Sequence, residues 1–534
     1  MGEPKFHWVE RFPGMDTETD PLELGAKMMD GEGVMWTDDS LNGYGDGTYW
    51  QVRPGVRLCT GQTAMPSATY ELQRVALATA AGARGKDQIL GLAIGTLDIT
   101  AMSEYTIGTL PAVTNNAASY LATGADAQRT NIICNAGARY ALLRNGNAVS
   151  AQVKIEWDGL AYQPGTYSAP ANPDGSFMSA HLLAWHKERV FIIKNQDPRY
   201  ASLIVPSVRG NPLQHVSTDT FVAEEDNDFA LNGIYSTGER LVVGRSGAIF
   251  MLLGATQDKS RLPKISVKYG VAGVRGGDLI AHDQLLAFLT ESAKPSGATQ
   301  ETPSPRNIGI IAGGELKIIG DRVLTAIRVA SDASRETQVQ AWTALRGALM
   351  VPQRKTTAAA CDALFYSTAS GGFWKWTVGA TIGLTCLREA GGTMYLGTAG
   401  GGSNAGAIQY FDAALATDNG TAFTARLSSP PYRSSEKKVI EEMIVVASQT
   451  SGTAANWTAQ RRLPSGSYET AFSIVQTGAP TMNAYPQAFR FKFPTLTSGQ
   501  AKADYINGWR INPPNDGVGC RIHAVGWADK GAGG

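Results

Sequence analysis

The chain has 534 residues, 43% of them apolar, with 60 Gly and 25 Pro: too long for one ordinary core, and rich enough in turns to point to an all-β protein. Lysine plus arginine equals aspartate plus glutamate at 47 each, so no net field draws the chain onto nucleic acid or an anionic membrane. The balance is uneven: from Thr421 onward 12 basic residues face 7 acidic ones, leaving 35 and 40 before it.

The N-terminus, Met-Gly-Glu-Pro-Lys-Phe-His-Trp, has no basic region followed by an apolar run, and no window approaches 18 uncharged apolar residues. A soluble protein without an export signal or membrane anchor is the expectation. Gly2 does not make a myristoylation motif, because Phe6 stands where Ser or Thr is needed. The five cysteines (Cys59, Cys134, Cys361, Cys386, Cys520) lie far apart without Cys-x-x-Cys spacing, and read as reduced, mostly buried small apolar residues.

Residues 1–70 form an N-terminal arm. It is acidic early (Asp16, Glu18, Asp20, Glu23), then crowded with glycine and aromatics in Gly43-Tyr-Gly-Asp-Gly-Thr-Tyr-Trp50, and ends in Arg53-Pro-Gly55. Such a mixture makes many turns and little regular pairing, which suits an extended arm laid over another surface or over its own chain. Pro21 to Pro54 is the segment expected to contact a partner subunit.

Residues 71–415 carry a loose internal repeat, an apolar strand followed after a turn by a second one. Its anchors are Leu97, Tyr140, Val190, Leu241, Leu286, Leu349 and Met394, spaced 43, 50, 51, 45, 63 and 45 residues apart. A four-stranded propeller blade occupies about 40 to 50 residues and cannot bury its faces alone. The pattern predicts a β-propeller of about seven degenerate blades. Hairpins closing on Gly313-Gly314 and Gly371-Gly372 support antiparallel pairing, since diglycine reaches the positive φ of tight primed turns. The best helical candidate is the Ala-rich stretch Val75 to Gly82. The 63-residue spacing holds Lys294 to Arg306, which reads as a protruding loop. Residues 416–534 leave the repeat and read as a separate C-terminal β-sandwich-like domain.

Chemistry-bearing motifs are sparse. There is no Gly-x-Ser-x-Gly, no phosphate-binding Walker loop and no His-Glu-x-x-His. Gly270, Gly273, Gly276 and Gly277 read as turns between blades, lacking a following helix. The cluster Glu224-Glu-Asp-Asn-Asp228 offers hard oxygen ligands but not calcium-loop spacing, so it reads first as a solvated loop. His181 and His186, and the basic pairs Lys437-Lys438 and Arg461-Arg462, read as structural or solvated. No pair of carboxylates stands out for glycoside chemistry. No catalytic residue, cofactor or metal site is assigned, and an enzyme is not expected.

The order of an acidic arm from Asp20-Pro-Leu-Glu-Leu24 to Arg53-Pro-Gly55, degenerate blades and a terminal β domain resembles tail proteins of tailed bacteriophages. The likeness is to the β-propeller nozzle or hub proteins of short-tailed phages, including the packaged-DNA stabilisation and tail tubular B-like proteins. The resemblance implies a structural virion protein made in the host cytoplasm and built into the phage tail. It implies a homohexameric ring that meets the portal-adaptor protein above and tail fibre or spike proteins around it. Genome DNA would pass through the channel without sequence-specific binding. The alternative is a solitary glycan- or protein-binding propeller, a lectin or scaffold.

Overall fold

Short apolar strands punctuated by tight turns pair with their nearest neighbours in sequence, and this local pairing builds most of the molecule. A computed structural model describes residues 6–531 apart from 60–68, 101–130, 223–230, 254–263, 271–279, 291–306, 327–336, 353–360, 399–407, 474–484, 494–505 and shorter stretches between elements. Within these limits the protein is an all-β propeller carrying a second pair of sheets.

Seven antiparallel sheets follow one another along the chain. Blade 1 (69–100) shows three strands; blades 2 (131–168), 3 (180–222), 4 (231–270), 5 (280–318) and 6 (337–378) each hold at least four, in sequence order. First strands of neighbouring blades lie together from blade 1 to blade 4, from blade 5 to blade 7, and from blade 7 back to blade 1. The last blade thus meets the first, blade 7 packing on blade 1.

Blade 7 is composite. Leu384–Ala390, Thr393–Thr398 and Gln409–Asp412 supply three strands, and Gly55–Leu58 from the arm supplies the fourth, antiparallel to Gln409–Asp412. Cys59, Leu72, Ile89, Cys386, Ala390, Tyr395, Ile408 and Tyr410 then pack as one cluster joining blade 7 to blade 1. Cys59, Cys386 and Cys520 are buried, and burial pushes the Cys59 thiol up to about 12.

Six repeat anchors lie in the second strand of their blades; Leu97 lies in the third strand of blade 1, Thr96–Thr100. The second strand there is Gln88–Ala93, where Gly91 interrupts the apolar run that marks the others. The Gly371-Gly372 hairpin joins Cys361–Ser367 to Gly372–Val378 with Gly371 at φ 74°. Asn307–Ala312 pairs antiparallel with Glu315–Ile318, while Gly313 and Gly314 lie outside the described residues. The segments Glu104 to Leu110, Glu224 to Asp228 and Lys294 to Arg306 lie outside the described residues, as do Gly273, Gly276 and Gly277.

The expected helix at Val75 to Gly82 is not formed. Val75 ends the strand Thr69–Val75, Leu77 is buried, and Thr79 closes a turn on Gly82 and Ala83. Eight residues are too few to hold a helix without a packed face, and Gly82 at φ 86° ends the run. A helix is found instead in the arm, at Pro21–Met29. Asp20 Oδ1 accepts from the Leu22 amide at 2.7 Å, Pro21 opens the first turn, and Lys27 pairs with Glu23 one turn away. Gly25 faces the Pro431 carbonyl so closely that a Cβ would sit 1.9 Å from its oxygen, so only glycine lets the helix rest on Tyr432–Arg433.

The C-terminal region forms two five-membered strand paths that share one core. The first runs Gly43–Gly45, Trp50–Val52, Arg521–Gly531, Lys438–Ser448, Gln487–Lys492, with Phe6–Val9 also paired to Arg521–Gly531. The second runs Ser40–Leu41, Arg426–Ser428, Trp509–Asn512, Thr458–Arg461, Phe472–Ser473. Three strands of the first sheet and one of the second thus come from residues 6–52. The arm is not a separate extended unit: it belongs to the sandwich and, through Gly55–Leu58, to the propeller. Within Pro21 to Pro54, the segment expected to contact a partner, Met28, Met35, Tyr44, Trp50, Val52 and Arg53 are buried within the chain itself. A single cluster of buried side chains runs from blades 5, 6 and 7 through Phe12, Tyr44 and Trp50 of the arm into Met443, Phe491 and Trp527 of the sandwich.

Candidate functional site: the seam of arm, blade 6 and sandwich

Three ion-paired clasps bind the arm to the surfaces on either side of it. The innermost is made by Arg53 of the Arg53-Pro-Gly55 motif. Its Nη1 and Nη2 donate to Asp418 Oδ1 and Oδ2 at 2.9 and 2.6 Å, Nη1 also to the Pro54 carbonyl at 2.8 Å, Nη2 to the Thr377 carbonyl at 3.0 Å, and Nε to Asn42 Oδ1 at 3.0 Å. These five bonds use the whole donor set of a guanidinium. The pair has side-chain exposures of 0% and 4%, and the guanidinium lies 3.8 Å from the Phe423 ring centre. A buried ion pair is held against its desolvation cost only when its remaining protons are satisfied, and here they are.

The same turn is set by neighbours on both sides. Asn42, in left-handed backbone at φ 55°, accepts the Thr377 amide at 2.8 Å and donates through Nδ2 to the Thr424 carbonyl. At Gly55 a Cβ would lie 2.4 Å from the Thr417 carbonyl oxygen, so glycine lets the arm strand enter blade 7 beside 415–418.

The second clasp is Asp16. It is 1% exposed, caps the Glu18 and Thr19 amides, and receives Arg322 Nη1 at 3.1 Å, while the Arg322 guanidinium covers Trp36 at 4.2 Å. The third is Asp39, whose carboxylate takes Arg426 and Arg510 of the sandwich at 2.8 and 2.7 Å.

Between the second and third clasps opens a cleft of about 320 Å³, bordered by Asp38, Asp39, Thr325, Asp362, Lys375 and Arg426 among others. Asp362 holds Lys375 at 3.1 Å and accepts the Thr377 hydroxyl. Asp38 forms no ion pair among the described residues; burial first, and the neighbouring Asp39 charge, push its carboxyl above the usual carboxylate range despite the pull of Arg462 and Arg510. The cleft can grip a polar ligand or loop through acids and bases of both signs. Among the described residues no group of three or more His, Cys, Asp or Glu is arranged to hold a metal ion.

Two serine–histidine contacts carry a different chemistry on paper. Ser448 Oγ lies 2.9 Å from His523 Nε2, but the serine is 2% exposed, so a substrate has no route to its oxygen. His186 Nδ1 lies 2.8 Å from Ser236 Oγ between blades 3 and 4, and among the described residues its Nε2 meets no carboxylate that would orient it as in a triad. Burial, then the nearby Lys187 charge, lower the His186 pKa to about 4.

The sequence-singled residues therefore land apart. His181 lies in the strand Ala180–His186, and Lys438 opens the strand Lys438–Ser448. Arg461 is buried, pairs with Glu469 at 2.9 Å and donates to the Ile440 carbonyl, so it serves the sandwich core and not a polyanion. Sequence reading missed Asp16, Asp38, Asp39 and Asp418 as site residues; the adjacent Asp38-Asp39 was a visible signal, whereas Asp418 had none.

No family model matches the chain, and no curated protein matches it. Among solved structures, similarity is found to the Neurospora crassa Pan2 WD40 domain (7% identity, 67% of this chain and 96% of that chain, TM-score 0.40). It is also found to the Myceliophteria thermophila Cps50 (Swd1) β-propeller domain (10% identity, 66% and 99%, TM-score 0.37) and to an exo-β-1,3-galactanase from Phanerochaete chrysosporium (8% identity, 75% and 95%, TM-score 0.28). Likeness at this level carries nothing about activity, and the propeller assignment stands on the order of the chain's own sheets and on the packing of blade 7 against blade 1.

Proposed function

We propose that the protein is a non-catalytic structural component of a phage tail, a nozzle or hub subunit that assembles into a ring, closes over genome DNA and then conducts it. The observation that carries this reading is the arm. It closes blade 7, enters both sandwich sheets and shares one core with each, so two β domains behave as one stiff body. A wall element that transmits force between an adaptor and fibres needs that stiffness, and a solitary recognition module does not. The resemblance in domain order supplies the partners: a homohexamer, a portal-adaptor protein, fibre or spike proteins, and passing DNA held by no specific contact. Negative-stain images of the purified protein and of particles test it. Defined rings are expected; a strictly monomeric protein never found in a particle overturns it.

A second reading, a glycan- or protein-binding propeller, is favoured by the cleft bordered by Asp38, Asp362 and Lys375. Saturable glycan-array binding by a monomer, lost in Lys375→Ala, is the result that would select it.

A further inference from the structure

The hairpin turns that join the first and second strands of blades 3 and 7 are built differently. In blade 7, Ala390 pairs with Thr393 and the two turn residues are Gly391 and Gly392, at φ 59° and 86°. In blade 3, His186 pairs with Arg189 and the turn residues are Lys187 and Glu188, at φ 43° and 65°. Left-handed backbone is strained for a residue with a Cβ and not for glycine. Blade 3 therefore bears strain that blade 7 avoids, and bears it to keep two charged side chains at the tip.

Those side chains line a cleft. Lys187, Glu188, Arg189 and Arg209 border a space of about 260 Å³ between this turn and the turn at Arg209-Gly210. The turns are braced together: the Gly210 amide donates to the Glu188 carbonyl at 2.8 Å, and Arg209 Nε donates to Glu188 Oε2 at 2.5 Å. Arg189 Nη1 is tied to the Ser207 carbonyl at 2.9 Å, which sets its guanidinium at the cleft wall. Glu188 thus orients Arg209 through Nε, while the two Nη groups of Arg209 and the Lys187 ammonium form no bond among the described residues. Three cations against one carboxylate leave the cleft positive.

We propose that this cleft in blade 3 binds a phosphate group, with Arg209 Nη and Lys187 Nζ as its donors and Glu188 as the residue that positions Arg209. A planar guanidinium and a neighbouring ammonium suit a tetrahedral oxyanion with charge on several oxygens. Free phosphate and the phosphodiester of a nucleic acid strand share this chemistry. The site is separate from the arm seam and does not depend on the tail-protein reading.

The test is titration of the full chain by calorimetry with inorganic phosphate and, separately, with a short thymidine oligonucleotide, each against sodium chloride at matched ionic strength. Lys187→Gly and Arg209→Gln are the variants, each expected to weaken binding about tenfold, the size of one charge-assisted bond. Lys187→Gly copies the blade 7 turn and relieves strain, so its loss of binding cannot come from misfolding; its thermal midpoint without ligand is expected to equal or exceed that of the parent. Saturable phosphate binding weakened in both variants assigns free phosphate. Oligonucleotide binding alone, weakened in both, assigns a phosphodiester. Neither ligand saturating above the chloride control, or both variants binding like the parent, overturns the proposal.

Discussion

Blades 3 and 7 occupy equivalent places in the same wheel but are assembled in opposite ways. The four core strands of blade 3 are contiguous in sequence, and its core of Phe191, Ile193, Ile204 and their neighbours forms with blade 4 from nearby chain. Blade 7 waits for Gly55–Leu58, whose partner Gln409–Asp412 lies some 350 residues away, and the join is held by Arg53 on Asp418. Ordering a long-range strand costs loop entropy before any contact repays it. The ion pair, the close approach at Gly55 and the shared core with the sandwich are concentrated where that cost falls.

Breaking the clasp should therefore do most to separate the two blades. Arg53→Ala leaves Asp418 buried and unpaired, and a loss of about 3–5 kcal/mol is expected in denaturant unfolding. Limited proteolysis should then cut the arm first; an arm that stays as resistant as in the parent would contradict the clasp. Gly55→Ala should cost about 1–3 kcal/mol through the contact with the Thr417 carbonyl, again with the arm released first. Ile193→Val, a one-methylene deletion in the local core of blade 3, should cost about 0.5–1.5 kcal/mol without changing the cleavage pattern.

A gentler test titrates a histidine of blade 3. The His186 pKa of about 4 lies below the ordinary 6.5, so between those values the unfolded chain binds a proton that the folded chain refuses. Stability should fall as pH drops from about 6.5 towards 4 and be unaffected by this group above that window. His186→Gln should flatten that part of the profile; an unchanged slope would assign the acid sensitivity elsewhere.

The repeat was legible because every blade draws its second strand from its own stretch of chain: the second-strand runs around Val190, Leu241, Leu349 and Met394 sit where periodicity predicted them. The arm was only half legible. Asp20-Pro21 carried a helix N-terminus that the acidic, turn-rich context hid, and the strand Trp50–Val52 pairs with Arg521–Gly531 on one side and Gly43–Gly45 on the other, the former relation having no local sign. Arg53-Pro-Gly55 was visible as a motif, but its partner Asp418 looked like any other surface aspartate.

By itself, the sequence determined the all-β class, the blade period and the diglycine turns, since these follow from alternation and backbone freedom within a few residues. Only the tertiary structure decided that the arm closes blade 7, stitches two sandwich sheets and gathers Asp16, Asp39 and Arg53 into clasps. Those pairings join residues hundreds of positions apart, and their energy comes from burial and ion pairing that exist only once the wheel has closed.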